Sequence, residues 1–320
     1  MVENRPYQIG IALIEGFALM SYAAVTEPFR AANLLAGRRL YDLINIPAAG
    51  EVARSSGGAM IEATGKIGGS ARYDLMLLVA GGDPTRFHDE RLFNWLRRLD
   101  REGVTLGGVS GGPVILATAG LMEGRRMTVH WEHAPALAEI SPTLMIEQRL
   151  YIIDRDRVTC AGGAAPMDMI HALIADHHGP DFARRVSDWF LHTDIRPAGG
   201  PQRAGVAERA GVSNRVALDA IVAMESHVAD PLTLSDLAGF SMVSPRHLNR
   251  VFQDSFGMTT MAYYRNLRLD VARRLLTATP MSLTEIALAT GFASSAHFSR
   301  CFAVNYGVSP SKARKGAIFA

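Results

Sequence analysis

Cysteine is nearly absent from this chain. Cys160 and Cys301 are the only two in 320 residues, and they fall far apart. A disulfide framework is therefore excluded, and a reducing compartment is the expected setting. Long apolar runs are missing as well: none approaches the ~18–20 residues that a membrane span needs. The first residues, Met1 to Pro6, lack the basic-then-apolar pattern of a secretory leader. These absences lead to the expectation of a cytoplasmic chain with no membrane partner. An excess of one charge is also lacking, since the net charge is only +2. The balance is uneven, however. From Pro231 to Ala320 there are 10 Lys and Arg against 4 Asp and Glu, a local +6 that leaves −4 for the remainder. A basic end on a near-neutral chain is the electrostatic footprint of a nucleic-acid module.

Beyond Asn214 the text is helical, with no strand pattern, and it is nearly said twice. One copy starts at Leu232 and reads Leu-Thr-Leu-Ser-Asp-Leu-Ala-Gly-Phe-Ser-Met-Val-Ser-Pro-Arg-His-Leu-Asn-Arg-Val-Phe. The other starts at Met281 and reads Met-Ser-Leu-Thr-Glu-Ile-Ala-Leu-Ala-Thr-Gly-Phe-Ala-Ser-Ser-Ala-His-Phe-Ser-Arg-Cys-Phe. Thr233 and Ser282 are 49 apart, while Arg250 and Arg300, Phe252 and Phe302, and Gly257 and Gly307 are each 50 apart. Each copy spells a helix, a turn and a second helix. Thr233 with Asp236, and Ser282 with Glu285, are spaced to cap the first helices. Gly239 to Val243 and Gly291 are expected to make the turns. Ser244 followed by Pro245, and Ser294, suit the start of the second helices.

In the first copy Leu248, Val251 and Phe252 form the apolar stripe. Arg246, Asn249 and Arg250 then share the opposite face, where Arg suits guanine O6/N7 and Asn suits adenine N6/N7. In the second copy Phe298 and Phe302 supply the stripe. Ser295, Ala296, Ser299 and Arg300 face outward, small side chains suited to a thymine methyl or a phosphate. Tyr263 to Leu276 reads as one amphipathic helix holding the two heads apart. Two such heads suit successive turns of the DNA major groove, which recur about every 34 Å.

Residues 214–315 resemble the DNA-binding domain of the AraC/XylS family of bacterial transcription regulators. The resemblance is carried by Arg268 to Leu276, Ile286 to Phe292, His297 to Phe302 and Gly307 to Arg314. It implies double-stranded operator DNA as a partner, a nucleoid-associated protein and contact with RNA polymerase, with the outward residues named above facing the groove.

The preceding part is of another kind. Tyr7 to Ile14, Asp74 to Val79, Val104 to Val109 and the run at Val158 read as strands, alternating with helical stretches such as Pro113 to Ala119 and Pro166 to Ile174. That alternation implies an open parallel sheet flanked by helices, with ligands at the carboxyl ends of the strands. Ser110 stands between a strand and a helix, followed by Gly111 and Gly112, as in a nucleophile elbow. His130 and Trp131 follow twenty residues later. Residues 6–192 resemble the class I glutamine-amidotransferase-like fold in its PfpI-like branch, through Ala80 to Gly82, Gly108 to Pro113, Thr128 to Trp131 and Thr159 to Gly163.

Two departures bear on activity. The enzymes of that branch place a cysteine at the elbow, where this chain has Ser110. They also supply an acid after the first strand, where this chain runs Gly16-Phe17-Ala18-Leu19-Met20-Ser21. Serine needs a base and an orienting group to act as a nucleophile. His130 is a candidate base, with Glu15 or Glu132 as candidate carboxylates. The favoured expectation is a degenerate elbow, no catalysis and no cofactor. Gly82, Ser110, Gly111, His130, Trp131 and Ala161 would then line a small-molecule site, with a ligand carboxylate on the elbow amides. Fusion of such a fold to an AraC-type reader implies an amino-acid, betaine-like or carnitine-like effector. The alternatives are a hydrolase or deglycase using Ser110 and His130, and a domain that only dimerises.

The expected organisation is a sensing and dimerisation domain over 1–193, a Pro- and Gly-rich linker over 194–213 and a DNA-binding domain over 214–320. His130-Trp131-Glu132-His133 and the pair His177-His178 look metal-like, but no further ligand cluster joins them. No metal site is expected. Met122, Met127, Met167 and Met169 read as core filler.

Overall fold

Apolar runs become buried strands in the first half of the chain, and capped amphipathic runs become helices in the second. The computed structural model describes residues 5–279 and 281–317. Residues 1–4, on which the expectation about a leader partly rests, and 318–320 lie outside the described residues. The chain separates into two units, Met1–Gln202 and Arg203–Ala320.

The first unit runs β1 (Tyr7–Leu13), α1 (Leu19–Ala36), β2 (Tyr41–Pro47), β3 (Val52–Arg54), β4 (Met60–Glu62), β5 (Leu75–Ala80), α2 (Glu90–Arg101), β6 (Thr105–Ser110) and α3 (Gly112–Thr118). It continues with β7 (Arg126–Met127), α4 (Ala134–Ile140), β8 (Met145–Ile146), β9 (Tyr151–Asp154), β10 (Arg157–Cys160), α5 (Ala165–His178) and α6 (Pro180–Trp189). The main sheet has the order β2-β1-β5-β6-β10-β9. Its pairs are parallel except β10 with β9. Every residue of β5 is buried, as a strand covered on both faces requires.

Two apolar layers sandwich the sheet. Leu92, Phe93, Trp95 and Leu96 of α2 and Val114 to Leu116 of α3 fill one side. Val25 and Phe29 of α1, Met169, Ile170 and Ile174 of α5 and Val186 of α6 fill the other. The expected open α/β sheet is present. β2 and the short hairpins went unread in the sequence.

The second unit runs α7 (Val206–Ala210), α8 (Arg215–Ser226), α9 (Leu234–Phe240), α10 (Pro245–Phe256), α11 (Thr260–Ala278), α12 (Leu283–Ala289), α13 (Ser295–Tyr306) and α14 (Pro310–Ala317). Its core falls in two clusters. Leu237, Leu248, Phe252 and Tyr264 centre the first, and Leu276, Ile286, Phe298 and Phe302 the second. α11 contributes to both.

The stretch expected to be a free linker, 194–213, is structured at both ends. Its first part is tied to the first unit: Leu150 N donates to Ala198 O at 3.0 Å, and Gln202 Nε2 donates to Arg149 O at 2.7 Å. Asp168 of α5, fully buried, holds this tail. It accepts from Arg196 Nη2 at 2.7 Å and meets His192 Nε2 at 2.8 Å. The later part forms α7 within the second unit. Pro and Gly content alone could not show that a buried carboxylate pins the tail. Among the described residues no helix is long and apolar enough to cross a membrane, and no group of three metal-ligating side chains gathers.

Candidate DNA-reading helices and effector site

The two helix-turn-helix units are built by the same local chemistry. Thr233 Oγ1 accepts from Asp236 N while Asp236 bonds back to Thr233 N, and Ser282 and Glu285 repeat this box. Each box satisfies two backbone donors that a helix start leaves unpaired. Ser244 accepts from His247 N at 3.2 Å, and Ser294 accepts from His297 N at 3.1 Å. α10 and α13 both end at a left-handed glycine, Gly257 and Gly307.

The turns differ from expectation in one respect. Gly239 lies inside α9, and the left-handed residue of the first turn is Met242, with φ +53°. Gly291, with φ +67°, fills that role in the second. A methionine in this conformation carries no sequence signal, because left-handed non-glycine residues are usually Asn or Asp.

On the outer faces, Arg246 and Arg250 of α10 and Ala296 and Arg300 of α13 are exposed, and Ser295 and Ser299 are half-buried. Arg250 Nη2 rests 3.0 Å from His247 Nδ1. Asn249 is the exception. Its Oδ1 accepts from Thr260 N, the start of α11, at 3.0 Å. A side-chain amide that pairs with adenine needs that acceptor. Here that acceptor joins α10 to the start of α11.

In the first unit four loops converge at the carboxyl ends of the strands. Ser110 closes β6 with φ +60°, a strained conformation for a residue with a Cβ, and is 7% exposed. The strand, sharp turn and helix expected of an elbow are all present. The loop after β10 presses on it: a Cβ on Gly162 would stand 2.6 Å from Ser110 Cβ, so only glycine fits there. His130 N donates to Ser110 O at 3.4 Å, and the His130 and Trp131 rings lie 5.4 Å apart. Ala161 is buried beside Gly162, and Gly82 is exposed at the end of β5.

Two amides at this end of the sheet have acceptors within the protein. Gly111 N donates to Ala80 O at 3.2 Å, and Gly163 N donates to Ser21 Oγ at 2.9 Å. Gly111, one of the elbow amides expected to meet a ligand carboxylate, thus has an acceptor within the protein. Ser21, which ends the run lacking the expected acid, is fully buried.

The electrostatics do not assemble a triad. Burial lowers the pKa of His130, with Glu132 opposing the shift. Its Nδ1 accepts from Glu132 N at 3.4 Å. Glu132 Oε2 is 3.7 Å from His130 Nδ1, and Glu15 Oε2 is engaged by Arg54 N at 3.1 Å. His133 is 6% exposed, its Nδ1 has no partner, and burial with the neighbouring His130 drives its pKa down to about 4.

Open space lies elsewhere at the same end of the sheet. A cavity of about 350 Å³ is lined by Leu13, Ile14, Ala48, Ala49, Ala53 and Phe87, with Glu15, His88 and Asp89 as its ionisable groups. None of the six expected ligand residues lines it. The end of β1, the loop after β2, Ala53 of β3 and the segment before α2 build it.

Comparison with known proteins agrees with both halves. The DJ-1/PfpI family model matches residues 11–176, and a helix-turn-helix domain model matches 237–316. The HTH-type transcriptional regulator GlxA of Rhizobium meliloti is 45% identical over 310 residues, covering 96% of this chain and 95% of its own length. The chain belongs to this family of transcriptional regulators. Another member, the regulator CdhR of Pseudomonas aeruginosa, is 42% identical over 94% of this chain and 90% of its own. The crystal structure of an AraC family transcriptional regulator from Pseudomonas putida is 25% identical, with a TM-score of 0.53, covering 58% of this chain and all of that one. An AraC-type reader joined to a DJ-1/PfpI fold makes the chain a DNA-binding regulator of the ligand-controlled kind.

Proposed function

We propose that this regulator reads two major-groove segments with α10 and α13, and that a small cationic molecule bound in the first unit controls it. The observation carrying the DNA reading is the duplicated, doubly capped helix pair. It exposes Arg250 and Arg300 at the same position of α10 and α13. Arg246, Ser295, Ala296 and Ser299 complete the groove faces, and Asn249 is reassigned to holding α10.

For the effector, the cavity supports an amino acid or quaternary amine. Glu15 and Asp89 offer negative charge and Phe87 an aromatic wall, the combination that attracts a cationic head. The elbow group of Ser110, Gly111, His130, Trp131, Ala161 and Gly82 lies at the same end of the sheet, where ligands of such sheets bind. In this reading the elbow is not catalytic. Ser110 is hemmed in by Gly162, and neither candidate carboxylate orients the base closely: Glu132 Oε2 stays 3.7 Å from His130 Nδ1 and Glu15 is engaged by Arg54 N. The first unit would dimerise the protein in the cytoplasm, on nucleoid DNA, and bring RNA polymerase to the promoter as an activator.

The test is operator binding by the full chain across a panel of amino acids and quaternary amines. One member should shift DNA affinity, and Glu15→Gln should weaken its effect. A panel that leaves affinity unchanged would contradict effector control by this class. Hydrolysis of an amide or glycated amine that disappears in Ser110→Ala would favour the enzymatic alternative.

A further inference from the structure

The two helix-turn-helix units touch each other directly, at a joint assembled from three residues. Arg268, near the middle of α11, reaches into the turn of the second unit. Its Nε donates to Thr290 O at 2.8 Å and its Nη2 to Gly291 O at 2.5 Å. Its guanidinium lies 4.4 Å from the ring centre of Phe292, in the second helix-turn-helix, and 5.9 Å from that of Tyr264, which packs with the first. Tyr264, one turn earlier on α11, holds the segment leading into α9. Its hydroxyl donates to His227 O and accepts from Leu232 N at 3.4 Å. These two held segments press together. A Cβ on Gly291 would stand 2.5 Å from Pro231 Cγ and 2.8 Å from Val228 O.

We propose that Arg268, Tyr264 and Gly291 form the joint that sets the distance and rotation between the two recognition helices, and so the base-pair spacing the protein accepts. The physical reason is that α11 alone fixes only where the second unit begins. A helix hinged at one end can still swing the turn it carries. Two guanidinium bonds to successive carbonyls of that turn, planar and directional, remove the swing. The glycine then lets the second turn close onto the first unit's backbone, as no larger residue could. DNA repeats by about 34 Å per turn, so a shift of one base pair moves the second site by about 3.4 Å and rotates it out of reach. A rigid joint converts that geometry into spacing specificity. Arg268 is a positioning residue, since it acts through α13 and touches no base.

This proposal rests on α10 and α13 being the groove-facing helices. The experiment therefore runs Arg250→Ala and Arg300→Ala beside the joint variants. Full-length protein is titrated against a selected two-element operator, and against versions one base pair shorter and one and two base pairs longer. The wild type should prefer one spacing. Arg268→Ala should lose roughly tenfold on that spacing, the size expected for a charged hydrogen bond. It should lose less on the altered ones, so that the profile flattens. Arg268→Lys, which keeps the charge without the fork, should fall between. Gly291→Ala should move the preferred spacing or flatten it.

An equal loss on every operator by variants with unchanged helical circular dichroism would overturn the joint and leave Arg268 a general stabiliser. Should Arg268→Ala not fold, the profile of Arg268→Lys decides: flattened supports the joint, unchanged overturns it. If instead Arg250→Ala and Arg300→Ala leave specific binding intact, the helix assignment itself fails.

Discussion

At the scale of single residues, the duplication explains why matching positions do different work. Asn249 and Ser299 stand 50 apart, as do Thr260 and Pro310. In the first copy the amide of Thr260 needs an acceptor and Asn249 supplies it. In the second copy Pro310 has no amide hydrogen, and a serine suffices at 299. The two exchanges belong together. Asn249→Ala should therefore cost about 0.5–2 kcal/mol of stability in the second unit, as for loss of a helix cap. It should leave the preferred bases unchanged, with thermal melting reading the first effect and binding-site selection the second. Arg250→Ala should do the opposite, costing about 1–3 kcal/mol of DNA affinity concentrated at one base position. A loss spread evenly over all sequences would place Arg250 on a phosphate. The sequence showed Asn249 as a polar residue on the outer face, and that much is right. What it could not show is where the start of α11 returns, because that is a tertiary fact.

Among elements, the capped helices were the most legible part of the chain. The capping boxes and the Ser244-Pro245 start are local chemistry, and the structure reproduces each. The elbow was legible for the same reason, as a strand, a strained serine and a helix. Its surroundings were not, because Gly162, Ser21 and Ala80 come from three other loops. The tail after α6 was read as linker because its composition says nothing of Asp168, 28 residues before Arg196. Asp168→Asn removes a buried charge from the Arg196 guanidinium and weakens the contact with His192. It should cost the first unit about 1.5–3 kcal/mol and raise hydrogen exchange across residues 192–202.

The segment between β7 and α4 carries a pH dependence. His133 has a pKa of about 4 against an ordinary 6.5. Between these values the unfolded chain binds the proton and the folded chain does not, so stability rises with pH. The first unit should thus be fully stable above pH 6.5 and weaken as pH falls toward 4. His133→Leu should flatten that slope in melting experiments. An unchanged slope would assign the acid sensitivity to other groups.

For the whole molecule, the division of labour was readable before any coordinates. Apolar alternation marks the first unit, and a repeated capped pattern with excess positive charge marks the second. The cavity of the first unit was the least legible feature. It is a volume left between the end of β1, the loop after β2, Ala53 of β3 and the segment before α2, and only Glu15 among its residues stood out in the sequence. Control by an effector requires that it bind two states of the protein unequally, and a cavity in the unit that does not read DNA is where such a difference can originate.

The central claim is that α10 and α13 read two elements of one operator. Selection of bound sequences from random duplex DNA with the full-length protein, followed by a salt titration on the winner, tests it most directly. The account predicts a motif of two elements about one helical turn apart, bound with an affinity that falls steeply as salt rises. It also predicts loss of one element with Arg250→Ala and of the other with Arg300→Ala. A single-element motif, or two elements that both survive these substitutions, would contradict it.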